Sequence, residues 1–111
     1  MKKTIPAEEW ASEALQTVAA LAKALGDENR LRVLLSVAAG KKPVSAIVAE
    51  VKLSQPLVSH HLKELRRVLL VRVERSGPFV FYELSDPRLP SLLAALRGIG
   101  DDLIRNRTTL R

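Results

Sequence analysis

Residues Leu53 to Leu65 read L-S-Q-P-L-V-S-H-H-L-K-E-L, a pattern that few structures satisfy. Ser54 can cap a helix through its side-chain oxygen, and Pro56 fits a first turn, where backbone N–H groups lack an intrahelical acceptor in any case. At about 100° per residue, Val58, Leu62 and Leu65 fall on one narrow stripe that Leu69 continues. The opposite side carries Ser59, His60, Lys63 and Arg67, with Gln55 and Pro56 at the N-terminal tip. One face therefore suits a core, and the other suits hydrogen bonds and anions. A helix lying in a DNA major groove needs this division. Short polar side chains near its start reach base edges, and basic ones further along meet phosphates. An ordinary amphipathic surface helix shows the same pattern, so the flanking segments must decide between the two.

Ahead of this stretch, Ser45 is placed to cap a short helix, Ala46 to Val51, with Ile47, Val48 and Val51 inward. Two helices joined by so short a turn, the second with a polar face, make a helix-turn-helix over 45–67. After Leu69 the period changes. Leu70 to Arg75 and Phe79 to Leu84 alternate apolar with charged or polar residues, and Ser76-Gly77-Pro78 lies between them as a turn. A hairpin over 70–84 directly after such a helix is a wing. Arg72 and Arg75 flank its turn and are placed to reach the phosphate backbone or the adjacent minor groove. For Arg72 the competing role is to blunt an exposed edge strand.

Charge placement agrees with a polyanion partner. The net charge is +6, and between Lys41 and Arg75 eight Lys and Arg stand against three Glu. The excess surrounds the helix-turn-helix and leaves both ends nearly neutral, the footprint expected for double-stranded DNA, although a solvated basic face would look alike. At 111 residues the chain is expected to form one domain. With 47% apolar and 27% charged residues it reads as globular, and no run approaches the ~18 apolar residues of a membrane span. No apolar stretch follows Met1-Lys2-Lys3, so a cytoplasmic protein without a secretory signal is expected. The absence of cysteine excludes disulfides, thiolate metal sites and thiol redox switches.

Residues 1–6 read as a frayed arm. From Ala7 to Leu25 there is no Gly or Pro, and Glu8, Glu9 and Glu13 sit early, where the helix dipole favours anions. Trp10, Ala14, Leu15, Val18, Leu21 and Leu25 form its apolar stripe. Asp27 then caps a second helix, Glu28 to Ala39, expected to bury Leu31, Leu34, Leu35 and Ala38 before Gly40 ends it. Near the C-terminus, Asp86 is expected as a cap with Pro87 at the first helical position. Leu89, Leu92, Leu93, Leu96, Ile99, Leu103 and Ile104 recur at helical spacing, and the tail from Asn106 is expected to be disordered. The predicted fold is thus mainly α with a β-hairpin (α+β), a winged helix-turn-helix. Its core needs only the middle of the chain, yet helices 7–25 and 87–105 both carry long apolar stripes. They could fold back within one chain, but pairing between two copies also supplies the two-fold symmetry of DNA half-sites. Trp10, Leu15, Val18, Leu92, Leu96, Ile99 and Leu103 are the expected homodimer interface.

The chain resembles the ArsR/SmtB family of small dimeric bacterial winged-helix repressors. The residues that carry the resemblance are Ala24-Leu25-Gly26-Asp27-Glu28-Asn29-Arg30-Leu31-Arg32, Leu53-Ser54-Gln55-Pro56-Leu57-Val58-Ser59-His60-His61-Leu62, and the hairpin end Phe81-Tyr82-Glu83-Leu84. It covers about residues 8–105. The resemblance implies a homodimer through the first and last helices, binding to an imperfect palindrome, and repression relieved by an effector. By position, Gln55, Ser59 and His60 match the family's base-reading residues.

Three departures stand out. Lys52 and Leu69 occupy positions where many relatives carry glycine. The metal-sensing members place cysteines on the helix before the recognition helix, where this chain has Ser45-Ala46-Ile47-Val48-Ala49-Glu50. Others use Asp/His pairs on the last helix, which here offers Asp101 and Asp102 without a histidine. His60 and His61 diverge on a helix and cannot share one ion within a chain, so His61, beside the apolar stripe, reads as a hydrogen-bonded structural residue. No metal, cofactor or catalytic constellation is expected. A winged-helix protein-interaction module and a nonspecific nucleoid-type binder remain the competing functions.

Overall fold

The computed structural model describes residues 10–109. Its elements run α1 (Ser12–Leu25), α2 (Glu28–Ala38), α3 (Val44–Val51), α4 (Gln55–Arg67), β1 (Val71–Ser76), β2 (Phe79–Leu84) and α5 (Leu89–Thr109). This is the expected winged helix-turn-helix. Its core lies where α2, α3, α4 and the first residue of β1 converge, on Val33, Leu34, Val37, Ile47, Val58, Leu62, Leu65 and Val71, all essentially inaccessible to water.

Local chemistry explains the element ends. The Asp27 side chain accepts from the Arg30 backbone N–H at 2.9 Å and starts α2. Ser54 accepts from Leu57 N–H at 3.3 Å and starts α4, with Pro56 in the first turn. Between α3 and α4, Lys52 adopts φ 58°, and after α4 Leu69 adopts φ 63°. Both positions thus keep the left-handed backbone that glycine would take without strain. The hairpin pairs Val71 with Leu84 through to Ser76 with Phe79. Its loop is Gly77-Pro78, and Gly77 at φ 60° supplies the positive dihedral that so tight a reversal demands. Tyr82 and Lys42 exchange backbone hydrogen bonds at 3.1 and 2.9 Å, which ties the wing to the connector before α3.

Several expectations are corrected. α2 buries Leu34 as expected, but with Val33, Ser36 and Val37 rather than Leu31, Leu35 and Ala38, and Leu35 is half exposed. Leu31 and Leu35 instead face an open apolar groove of about 540 Å³ beside Leu25, Leu93 and Leu96. Two apolar stripes compete on this helix, and the Val33/Val37 stripe wins the contact with α3 and α4. Leu69 does not continue the α4 stripe. Its left-handed backbone follows the helix end and leaves it 77% exposed. α3 begins at Val44 after Pro43, so Ser45 lies inside the first turn rather than at the cap. β1 runs on through Ser76, which shortens the expected turn. α5 begins at Leu89, later than expected. Asp86 makes a side-chain turn with Arg88 N–H at 2.8 Å, and Pro90 rather than Pro87 occupies the first helical turn. The tail expected to be disordered from Asn106 is helical through Thr109. α1 begins at Ser12 and leaves Trp10 just ahead of it, while the expected arm and first turn before Trp10 lie outside the described residues.

Candidate nucleic-acid interface

α4 is positioned by what it buries. Val58, His61, Leu62 and Leu65 point into the core, mainly against α2, and the side of the helix that carries Gln55, Ser59 and Lys63 is left to solvent. Gln55, Pro56, Ser59, His60, Lys63 and Arg67 are all exposed there. Gln55, Ser59 and Lys63 follow one another at four-residue spacing, and this brings the amide, the hydroxyl and the ammonium onto one strip. The two helix ends suit opposite tasks. The N-terminal end presents uncharged donors and acceptors together with the positive end of the helix dipole, and the C-terminal end presents cations.

The cations differ in how free they are. Arg67 pairs with Glu64 at 3.3 Å within the helix. Arg72 Nε donates to Glu83 at 2.7 Å across the hairpin, so its charge is engaged on the outer face of the wing. That pairing matches the edge-strand role better than a free phosphate contact. Arg75, next to the turn and opposite Val80, and Lys63 on α4 have no ion-pair partner among the described residues. Lys41 pairs with Glu74 and stands 5.8 Å over the ring of Phe81. Sequence reasoning passed over Phe79, which is 63% exposed beside the wing turn. The legible signal was its phase, since it stands opposite Ser76 on the strand face that does not meet the core.

His61 is buried, as its place beside the stripe implied. Its Nδ1 accepts from Arg30 Nε at 3.3 Å, and its Nε2 lies 4.0 Å from Asp27 Oδ1. Burial lowers its pKa from the ordinary histidine value of 6.5, with Arg30 and His60 acting in the same direction and Asp27 against them. His60, one residue earlier, points to solvent. The sequence showed Arg30 within a motif but not this contact, because the two residues meet only once α2 packs on α4.

The expected dimer residues are all open on the protomer. Trp10, Leu15, Val18, Leu92, Leu96, Ile99 and Leu103 are between 40% and 63% exposed, far more than large apolar residues that have found their core. No helix among the described residues is long and apolar enough to cross a membrane.

Comparison with known proteins agrees with this architecture. The family described as "Bacterial regulatory protein, arsR family" matches residues 27–73, from the α2 cap to the first strand of the wing. The chain is 34% identical over 82 residues to MJ1325 of Methanocaldococcus jannaschii, an HTH-type transcriptional regulator, in a match covering 73% of this chain and 92% of the relative. It is 36% identical over 93 residues to the HTH-type transcriptional repressor SmtB of Mycobacterium tuberculosis, covering 83% of this chain and 69% of SmtB. The fold superposes with a TM-score of 0.74 on the homodimeric winged helix-turn-helix DNA-binding domain of Mb0332 from Mycobacterium bovis, at 24% identity, covering 96% of this chain and 95% of that one. The chain belongs to the ArsR family of bacterial regulatory proteins: it is a transcriptional regulator, not an enzyme.

Proposed function

We propose that this regulator is a cytoplasmic homodimeric repressor that reads a two-fold-related operator with α4 and steadies itself on phosphates with its cations. The observation that carries the reading is the division of α4 into a fully buried apolar face and an exposed strip of Gln55, Ser59, His60 and Lys63. Gln55 and Ser59 are the base readers, with Pro56 and His60 beside them against bases or adjacent phosphates. Lys63 and Arg75 are the principal phosphate contacts. Arg67 and Arg72 are secondary, because each must share its charge with Glu64 or Glu83. Dimerisation through α1 and α5 covers Leu15, Val18, Leu92, Leu96, Ile99 and Leu103, which one protomer leaves in water. It also sets two α4 helices at a fixed spacing. The homodimeric state of the Mb0332 domain and the repressor role of SmtB support the same assignment. An effector that relieves repression would act on this dimer.

Selection of bound duplexes from a random-sequence pool tests this reading. The expected product is an imperfect palindrome whose half-sites lie about one helical turn, ~34–36 Å, or a multiple apart. Enrichment of no motif would instead identify a nonspecific binder, and absence of any DNA binding would favour a protein-interaction module.

A further inference from the structure

His61 is the one polar side chain that α4 buries, and it is only 4% exposed. A buried imidazole in an otherwise apolar contact costs stability unless its polar atoms are satisfied, so its partners define where the helix can sit. The principal partner is Arg30 on α2, whose Nε donates to His61 Nδ1. Arg30 is itself held at two further points. Its backbone N–H donates to Asp27 Oδ1 at 2.9 Å, and its Nη1 donates to Ala24 O, at the end of α1, at 3.4 Å. The guanidinium thus joins the last turn of α1 to the buried side of α4, while the backbone of the same residue is fixed by the cap of α2. Apolar contacts carry no donor–acceptor direction, whereas a hydrogen bond between a ring nitrogen and a guanidinium adds one to the packing of α4 on α2.

We propose that His61 is a positioning residue that fixes the rotation of α4 through Arg30, and that adding a proton to its Nδ1 releases the helix and weakens DNA binding. The proposal rests on α4 being the DNA-reading helix. The chemistry is direct. While Nδ1 accepts from Arg30, the ring proton sits on Nε2 and points toward Asp27. A second proton can enter only at Nδ1, where it meets the Arg30 N–H head on and turns an acceptor into a donor. The charged groups facing His61 are Asp27 at the α1–α2 junction, Arg30 on α2 and the neighbouring His60 on α4. Among the described residues, none from α3 or β1 acts on it. Asp27 favours the imidazolium, but burial and Arg30 oppose it and the net pKa is lowered. The neutral form is therefore the folded form. Its contribution is complete above about pH 6.5, the unfolded value, and is lost as pH falls through the lower folded value.

His60 lies beside His61 on the exposed side of α4, and any effect of its own must be held constant. Wild type must therefore be compared with His61→Asn, which retains His60. The Asn side chain can present a carbonyl oxygen near the place of Nδ1 but takes up no proton in this range. Two readouts are needed. In free protein, ¹⁵N and amide NMR should find wild-type His61 as the Nε2–H tautomer above its titration. The amides of Gln55 to Lys63 should shift together as it titrates, and they should stay still in His61→Asn. In duplex binding, measured with a sequence selected by the wild type, affinity relative to His61→Asn should be level above about pH 6.5 and fall below it as the pH passes through the His61 titration located by NMR. The limiting slope is about tenfold per pH unit, set by one linked proton. An Nδ1–H tautomer, or α4 amides indifferent to the His61 titration, overturns the proposal even if DNA binding is intact. Equal pH dependence of affinity in the two proteins also overturns it. Failure of both proteins to bind any duplex would sink the DNA-reading assignment of α4, and the NMR titration would still decide whether His61 fixes the helix.

Discussion

Leu69 and Lys52 hold left-handed backbone without glycine's freedom, and Leu69 is 77% exposed, so its side chain contributes little burial in return. A non-glycine residue in this region is strained by about 1–2 kcal/mol, and glycine gives back about 0.5–1 kcal/mol through the unfolded chain. Leu69→Gly is therefore predicted to stabilise the fold by about 0.5–1 kcal/mol, and Lys52→Gly to act in the same direction. Urea unfolding midpoints check this, and a lower midpoint for Leu69→Gly would contradict it. The buried side of the neighbouring helix gives the contrast. Leu62, at 1% exposure, is predicted to cost about 2–5 kcal/mol as Leu62→Ala in the same titration. The exposed side of α4 and the burial of His61 were legible from helical phase alone, because α4 has one dominant apolar stripe. Leucine itself gives no local signal for the positive φ at Leu69; the hint lay in the resemblance, where many relatives carry glycine at this position.

At the scale of elements, caps and periodicity carried most of the information, and competing faces defeated the rest. Ser54 was expected to cap α4 and does so, and Ser54→Ala is predicted to destabilise by about 1 kcal/mol. Because Gln55 immediately follows this cap, the same substitution should also loosen the first turn that presents it. Amide exchange at Leu57 and Val58 would reveal that fraying as faster opening in Ser54→Ala than in wild type. On α2 only Leu34 is buried as expected, because two overlapping apolar stripes fit one period, and packing against α3 and α4 selects Val33 and Val37 over Leu31 and Leu35. The α5 boundary shifted for a different reason. Asp86 spends its side chain on a turn with Arg88 before the helix begins, and sequence signals for such a turn and for a helix cap coincide.

For the whole molecule, the middle of the chain closes a core and the two ends do not. α5 buries Leu89 but leaves Leu92, Leu96, Ile99 and Leu103 about half exposed or more. Leu96→Lys is predicted to place an unpaired charge in the dimer interface at a cost on the order of several kcal/mol, and to shift the protein toward monomer. Sedimentation at micromolar concentration reads this, and a wild-type monomer there would contradict the assignment. Zinc, nickel, cobalt and arsenite are predicted to leave DNA binding unchanged. The chain has no cysteine, its two histidines both lie on α4, and one of those is buried against Arg30. Metal titration of the DNA complex checks this, and stoichiometric release of duplex by zinc would contradict it.

The most direct test of the account is a titration of a selected duplex and a random duplex at several salt concentrations with wild type, Gln55→Ala and Lys63→Ala. Gln55 offers both a donor and an acceptor to a base edge, so its loss should cost about 1–3 kcal/mol of discrimination, a fall of roughly tenfold or more in the ratio of the two affinities. Lys63 offers only charge, so its loss should weaken both duplexes alike and lower the salt slope by about one. A common fall in the specificity ratio for both variants, or no fall for Gln55→Ala, would contradict the assignment of α4 as the helix that reads sequence.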